Sequence, residues 1–256
     1  ESCYCFRKKR GQRITIIMFI LITRQLEQSE KFSDILNKEN IKNFIFPVIE
    51  IKKIKLRTID LENIKSSDFI IFTSQNSVKS LIHELDIKNL IGKKIAAIGE
   101  STKKNLNDLG VHVDICPKSN FTSESLLQEI RSNNIVDKKI IIIKGVGGRN
   151  YLHEELSKDN YTFNDLDVYE RELPSNLNYL SMRIFLDITH ICVTSIAVLD
   201  NFIKISDILK FEVSENITFI AGNSRIAEVV KERFSRNKIM VSLNPSNKEM
   251  LNTILG

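Results

Sequence analysis

Short runs of apolar, β-branched residues alternate along this chain with segments in which apolar residues recur every third or fourth position. The continuous apolar runs predict strands buried on both faces at 19–23, 44–51, 69–73, 94–98, 111–116, 139–144, 163–169, 190–194, 217–221 and 239–243. Between them Val78, Leu81, Ile82 and Leu85 form one helical stripe, and Leu199, Phe202 and Ile203 repeat it after Ser195. Gly110 follows Leu106 and Leu109 where a helix C-terminal glycine belongs. Strands alternating with helical crossovers run parallel, so the predicted fold class is α/β.

The pattern also occurs twice. Phe19 to Arg24, running on to Asn40, matches Ile140 to Gly145, running on to Asn160; Thr73-Ser74 matches Thr194-Ser195; and 97–102 matches 219–225. Pro117 to Leu127 likewise resembles Pro245 to Leu251. The offset, roughly 120 residues, is far longer than a solenoid period and predicts two similar α/β domains, with a ligand expected in a cleft between them.

In parallel sheets ligands sit at the carboxyl ends of strands, and the repeated polar residues fall there. Thr73-Ser74, Gly99 with Ser101 and Thr102, Thr194-Ser195, and Gly222 with Ser224 and Arg225 each close a strand and open a helix. They offer hydroxyls and helix N-terminal N–H groups to an anion, although Ser and Thr there are also ordinary N-caps. Lys144-Gly145-Val146-Gly147-Gly148-Arg149 is a glycine-rich turn with two cations. It lacks the Walker ending and the GxGxxG spacing, so it reads either as a loop presenting N–H groups and Arg149 to carboxylates or as a tight turn. There is no GxSxG, no HExxH and no paired metal-ligand motif, and the four histidines are scattered. An enzyme of this kind works by positioning and electrostatics.

At 42% hydrophobic and 27% charged, 256 residues suffice for two cores, and no apolar run reaches the ~20 residues that cross a bilayer. Cys3, Cys5, Cys116 and Cys192 form no CxxC pair and are expected to be reduced thiols in a cytosolic protein. The net charge of +5 is concentrated in residues 1–17, where Arg7, Lys8, Lys9, Arg10 and Arg13 oppose Glu1. The nearly neutral remainder argues against nucleic-acid and membrane partners, and the head is expected to be either a disordered tail or an extension upstream of the true start at Met18.

Phe72-Thr73-Ser74-Gln75-Asn76-Ser77-Val78, Ala97-Ile98-Gly99, Lys144-Gly145-x-Gly147-Gly148-Arg149, Val168-Tyr169-Glu170-Arg171 and Gly222-x-Ser224-Arg225-Ile226-Ala227 together resemble the uroporphyrinogen-III synthase family from Met18 onward. The resemblance implies two flavodoxin-like domains joined by a two-stranded linker and exchanging ends of the duplication: 18–49 with 171–256, and 50–170. It implies cofactor-free cyclisation of hydroxymethylbilane, a linear tetrapyrrole with eight carboxylates, by a cytoplasmic monomer that needs no metal. Tyr169 is then the expected catalytic hydrogen-bond donor. Arg24, the polar strand ends and the 144–149 loop are the expected substrate-binding residues. Gly222-Asn223-Ser224 departs from the family's usual Gly-Pro-Thr/Ser. A two-domain binding protein and a phosphosugar or nucleotide-sugar transferase are the alternatives that the cleft and the glycine loop leave open.

Overall fold

The computed structural model describes residues 4–9, 12–133, 135, 138–147, 150–159, 161–175, 177 and 186–256, with 4–9 and 12–17 as backbone alone. In chain order the strands are β1 (Tyr4–Lys9), β2 (Gln12–Ile17), β3 (Phe19–Ile22), β4 (Lys42–Ile45), β5 (Glu50–Lys53), β6 (Phe69–Phe72), β7 (Lys94–Ala97), β8 (Lys139–Gly145), β9 (Thr162–Glu172), β10 (His190–Val193), β11 (Thr218–Ala221) and β12 (Lys238–Val241). The helices are α1 (Leu26–Lys38), α2 (Thr58–Ser66), α3 (Gln75–Glu84), α4 (Glu100–Asp108), α5 (Ser123–Ser132), α6 (Tyr151–Lys158), α7 (Ile196–Ile208), α8 (Ser224–Arg233) and α9 (Asn247–Leu255).

The chain divides into two compact units, Glu1–Glu50 with Glu172–Gly256, and Ile51–Arg171. The sheet of the first has the order β12-β11-β10-β3-β4 with every neighbouring pair parallel. The sheet of the second has the order β5-β9-β8-β6-β7, with β9, β8, β6 and β7 mutually parallel. The duplication explains both. The segment β3-α1-β4 reappears as β8-α6-β9, and β6-α3-β7-α4 reappears as β10-α7-β11-α8, so each sheet combines the start of one copy with the remainder of the other. The two passages of chain between the units lie in β5 and at the end of β9, which are neighbours in one sheet.

The apolar runs face helices on both sides. Phe19 and Leu21 of β3 join a core with Val198, Leu199 and Phe202 of α7 and Val230 of α8, while Ile20 and Ile22 join Phe32 and Leu36 of α1 and Met250 of α9. In the other unit Ile70, Phe72, Ile141 and Ile143 pack on α2, α3 and α4, and Phe69, Ile71, Ile140 and Ile142 pack on α5 and α6. Each buried Ile, Leu or Phe contributes about 1.5–3 kcal/mol, which is why every second residue cannot be polar as in a one-sided sheet.

Three expectations need correction. The run 44–51 is not one strand: it breaks into β4 and β5 around Pro47, which has no N–H to give a ladder, and Phe46 and Val48 bond instead to the carbonyls of Ile22 and Thr23. The run 111–116 forms only an isolated bridge, Ile115 against Ala96, because the Asp114 carboxylate caps the Ile95 N–H at 2.8 Å. The basic head, for which a disordered tail is one of two expectations, has the backbone of an antiparallel β1–β2 hairpin, with the β-branched run Ile14 to Ile17 in β2.

His190, at the amino end of β10, is 7% exposed, and its Nδ1 is 2.7 Å from Thr189 Oγ1. Burial, helped by the Lys238 charge, lowers its pKa from 6.5 to about 4. The unfolded chain therefore binds more protons between those values, and stability falls as the pH drops from about 6.5 to about 4, by at most about 3 kcal/mol. Urea midpoints at pH 7 and pH 4.5 measure this loss, and His190→Asn is expected to make it smaller; an equal loss in the variant would assign it to other groups.

Candidate functional site

At the carboxyl end of the second unit's sheet the strand order reverses between the parallel neighbours β6 and β8, the place where ligands bind in open α/β sheets. Ser74, two residues beyond the end of β6, is the N-cap of α3, and its Oγ accepts from the Ser77 N–H at 3.1 Å. The same Oγ is 3.1 Å from the Tyr169 hydroxyl, which also accepts from Arg171 Nη2 at 2.9 Å. Tyr169 is 2% exposed, and its ring lies against Gly145. A Cβ at position 145 would stand 2.6 Å from Cε2 and 2.8 Å from Cε1, and nearer still to Cζ. The peptide of Tyr169 continues the join, accepting from the Val146 N–H at 2.8 Å across the bulge between Lys144 and Gly145. Three residues from three separate stretches of sequence, Ser74, Gly145 and Arg171, thus converge on one phenol.

Arg171 lies two positions beyond Tyr169 on β9, hence on the same side of the strand. Since a guanidinium only donates, the phenol oxygen has one remaining lone pair and one proton to distribute between Ser74 and a ligand. When Ser74 donates, both lone pairs of the phenol are occupied and its proton is free to leave the network.

Around this centre, Thr73 Oγ1 donates to the Ile143 carbonyl at 3.1 Å, spending its hydroxyl on the sheet. Gly99 is the N-cap of α4 and packs on Phe121, while Thr102 is buried and Ser101 exposed. Lys144 pairs with Asp165 at 2.8 Å, a carboxylate that also meets His153 Nδ1 at 3.1 Å. Gly147 takes φ +68°, a left-handed turn that favours glycine. Gly148 and Arg149 lie outside the described residues.

In the first unit the equivalent switch lies between β3 and β10. Ser195 caps α7 through the Val198 N–H at 3.2 Å, as Ser74 caps α3. Thr23 Oγ1 donates to the Cys192 carbonyl across the two strands. Arg24 leaves β3 where Gly145 ends β8 in the other copy, and it donates from Nη1 to Asn247 at 2.7 Å and from Nε to Gln28 at 3.2 Å. Burial lowers the Arg24 pKa, with the nearby Cys192 thiol acting the other way, but a guanidinium stays charged at neutral pH. Burial pushes the Cys192 thiol itself up to about 12, so it is an inert packing group. Gly222 admits no side chain, since a Cβ would meet Pro245 at 2.9 Å and the Thr194 backbone at 3.3 Å. Asn223, rather than Ser224, caps α8, and Ser224 and Arg225 are exposed.

No group of three or more His, Cys, Asp or Glu side chains is placed to hold a metal ion among the described residues. No helix among them is long and apolar enough to cross a membrane.

Residues 30–252 match the family model described as uroporphyrinogen-III synthase HemD. The chain belongs to the uroporphyrinogen-III synthase family. A putative uroporphyrinogen-III synthase of Methanocaldococcus jannaschii is 35% identical over 164 residues, 62% of this chain and 65% of that protein. The uroporphyrinogen-III synthase of Escherichia coli is 27% identical over 160 residues, 60% of this chain and 65% of the relative. The chain thus spans just under two thirds of the length of these relatives. Among solved structures, that of uroporphyrinogen-III synthetase from Helicobacter pylori superposes with a TM-score of 0.65 at 19% identity, over 93% of this chain and 98% of the other. A variant of the Thermus thermophilus enzyme gives 0.56 at 16% identity, over 92% and 96%. These two likenesses show the fold that the family shares.

Sequence reasoning named Ser74, Gly145 and Tyr169 but missed Arg171, Asp165 and Asn247. Arg171 was within reach, because residues i and i+2 on a strand share a face. The Lys144–Asp165 pair depends on the β8–β9 register, which no local pattern encodes.

Proposed function

We propose that this protein closes hydroxymethylbilane to uroporphyrinogen III, with loss of water and inversion of the last pyrrole ring, and that it does so without a cofactor, as a cytoplasmic monomer in tetrapyrrole biosynthesis. The observation that carries this reading, beside the family, is the phenol of Tyr169 held between Ser74 and Arg171 at a strand switch point. A reaction that begins by expelling hydroxide needs a donor of this kind, in a place closed to bulk water. The substrate's carboxylates need cations and N–H groups, which Arg24 and the helix N-termini at Ser74, Gly99, Ser195 and Asn223 supply.

In the proposed step the bond between the hydroxymethyl carbon and its oxygen breaks, and the electron pair stays on oxygen. The oxygen gains a proton and the pyrrole nitrogen loses one, so water departs and a neutral azafulvene remains. Tyr169 donates a hydrogen bond to the oxygen as charge gathers there and is itself unchanged. The substituted α-carbon of the terminal ring then attacks the azafulvene methylene, the terminal ring's nitrogen losing a proton as the azafulvene nitrogen gains one. In the resulting spiro intermediate the bond from that carbon to its original methylene breaks, the electron pair returning to the terminal ring and leaving an azafulvene on the neighbouring ring. The free α-carbon of the terminal ring attacks this second azafulvene and loses its proton, which closes the macrocycle with that ring inverted. Spontaneous closure gives the uninverted isomer I, so folding the bilane for attack is the other task of the protein.

Incubating the purified chain with enzymatically generated hydroxymethylbilane and separating the isomers tests the proposal. Isomer III is expected to predominate over the spontaneous product. Isomer I alone, or a requirement for a nucleotide or a divalent ion, would overturn it.

A further inference from the structure

Arg171 is exposed, yet its guanidinium gives a hydrogen bond to a hydroxyl belonging to one of the most deeply buried side chains in the unit. An exposed arginine normally spends its entropy in water, where a contact to a neutral phenol adds little. Here the ring is fixed from below by Gly145 and along its hydroxyl edge by Ser74, so the arginine meets an acceptor that is already in place.

We propose that Arg171 is a positioning residue for Tyr169: by occupying one phenol lone pair with a charged donor, it directs the phenol proton toward the substrate and strengthens it as a donor. The inference rests on the reading of Tyr169 given above and extends it to a second side chain and to a geometry. With Arg171 on one lone pair and Ser74 on the other, the proton has a single direction left. Without Arg171 the proton is free to settle on Ser74 Oγ, an arrangement that satisfies the protein and withholds the donor from the ligand. The positive charge also lies close to the oxygen that becomes negative as water departs, and this interaction grows only in the transition state. The loss therefore falls on turnover rather than on substrate affinity.

Arg171→Gln is expected to lower kcat about tenfold with KM changed less than threefold, and Arg171→Lys to recover part of kcat by restoring the charge. In a Tyr169→Phe background, which has no phenol proton to direct, Arg171→Gln is expected to change kcat by less than twofold. A tenfold effect that persists in that background, or an unchanged kcat in the single variant, overturns the proposal. A readout independent of turnover accompanies it: the 13Cζ resonance of Tyr169, identified by its absence in Tyr169→Phe, is expected to shift in Arg171→Gln and to recover in Arg171→Lys. If the native chain makes no isomer III, the reaction assigned above fails, and the resonance still decides whether Arg171 holds the phenol; a resonance that does not move overturns the proposal.

Discussion

Tyr169→Phe is expected to lower turnover about a hundredfold while leaving the fold and product binding close to native. Phenylalanine keeps the buried ring on Gly145, so the core keeps its packing. What disappears is a hydroxyl with two partners, Ser74 and Arg171. Arg171 is exposed and regains water, and Ser74 retains its cap on α3, so the stability cost is only about 1 kcal/mol. Loss of one donor to a developing charge costs about 3 kcal/mol of transition-state stabilisation, which is the hundredfold. Isomer III remains the enzymatic product, formed slowly against a rising background of isomer I, because the hydroxyl also leaves unaided. Single-turnover rates with the isomer ratio, beside a urea titration, check both halves. Native turnover in the variant would remove the residue from the chemistry and leave positioning as the whole of catalysis.

The contrast between the two halves of the duplication says why chemistry is assigned to one phenol rather than to the strand ends in general. Ser74 and Ser195 are equivalent N-caps on equivalent helices. Beyond them the copies diverge: β8 ends in Gly145 with a tyrosine ring upon it, whereas β3 runs on into Arg24, tied to Asn247 and Gln28. One copy has made room for a neutral donor and the other has kept a cation.

The apolar runs of β3, β6, β8, β10 and β11 were legible because strands buried on both faces must be continuously hydrophobic, and the N-caps at 74 and 195 because a Ser after such a run and before a helical stripe has a local meaning. The break at Pro47 was equally local, a residue without an N–H inside an apolar stretch, but the weight of Phe44, Ile45 and Phe46 hid it. The short bridge at Ile115 was not legible, since it depends on Asp114 reaching across to the Ile95 N–H. Nor was the reason for glycine at 145. In sequence it reads as part of a loop that offers N–H groups, whereas in the structure it is the seat of a ring that arrives 24 positions later, since residue 145 pairs with residue 169. The polar groups of the loop are spent differently as well: Lys144 is held by Asp165, so its charge is neutralised within the protein before any substrate arrives.

Gly145→Ala tests that reading of the glycine, and its effect is expected to exceed that of removing the hydroxyl. The added methyl falls within 2.6 Å of Cε2 and 2.8 Å of Cε1, distances that real Cβ atoms do not tolerate, so the ring has to move. It is buried and cannot yield freely, and overpacking of this kind costs about 1–3 kcal/mol of stability. Any shift that relieves the clash also draws the hydroxyl away from Ser74 and Arg171, so turnover falls at least as far as in Tyr169→Phe, by about a hundredfold or more. A double-mutant cycle separates the seat from the loop. In a Tyr169→Ala background the ring is gone and its space is open, so adding Gly145→Ala should cost almost nothing in urea midpoint. If position 145 instead served chiefly to bring backbone N–H groups to a ligand, the alanine would be well tolerated by the fold in both backgrounds and would weaken substrate affinity rather than stability. Equal destabilisation with and without the ring would refute the seat and return the glycine to a turn requirement of its own loop.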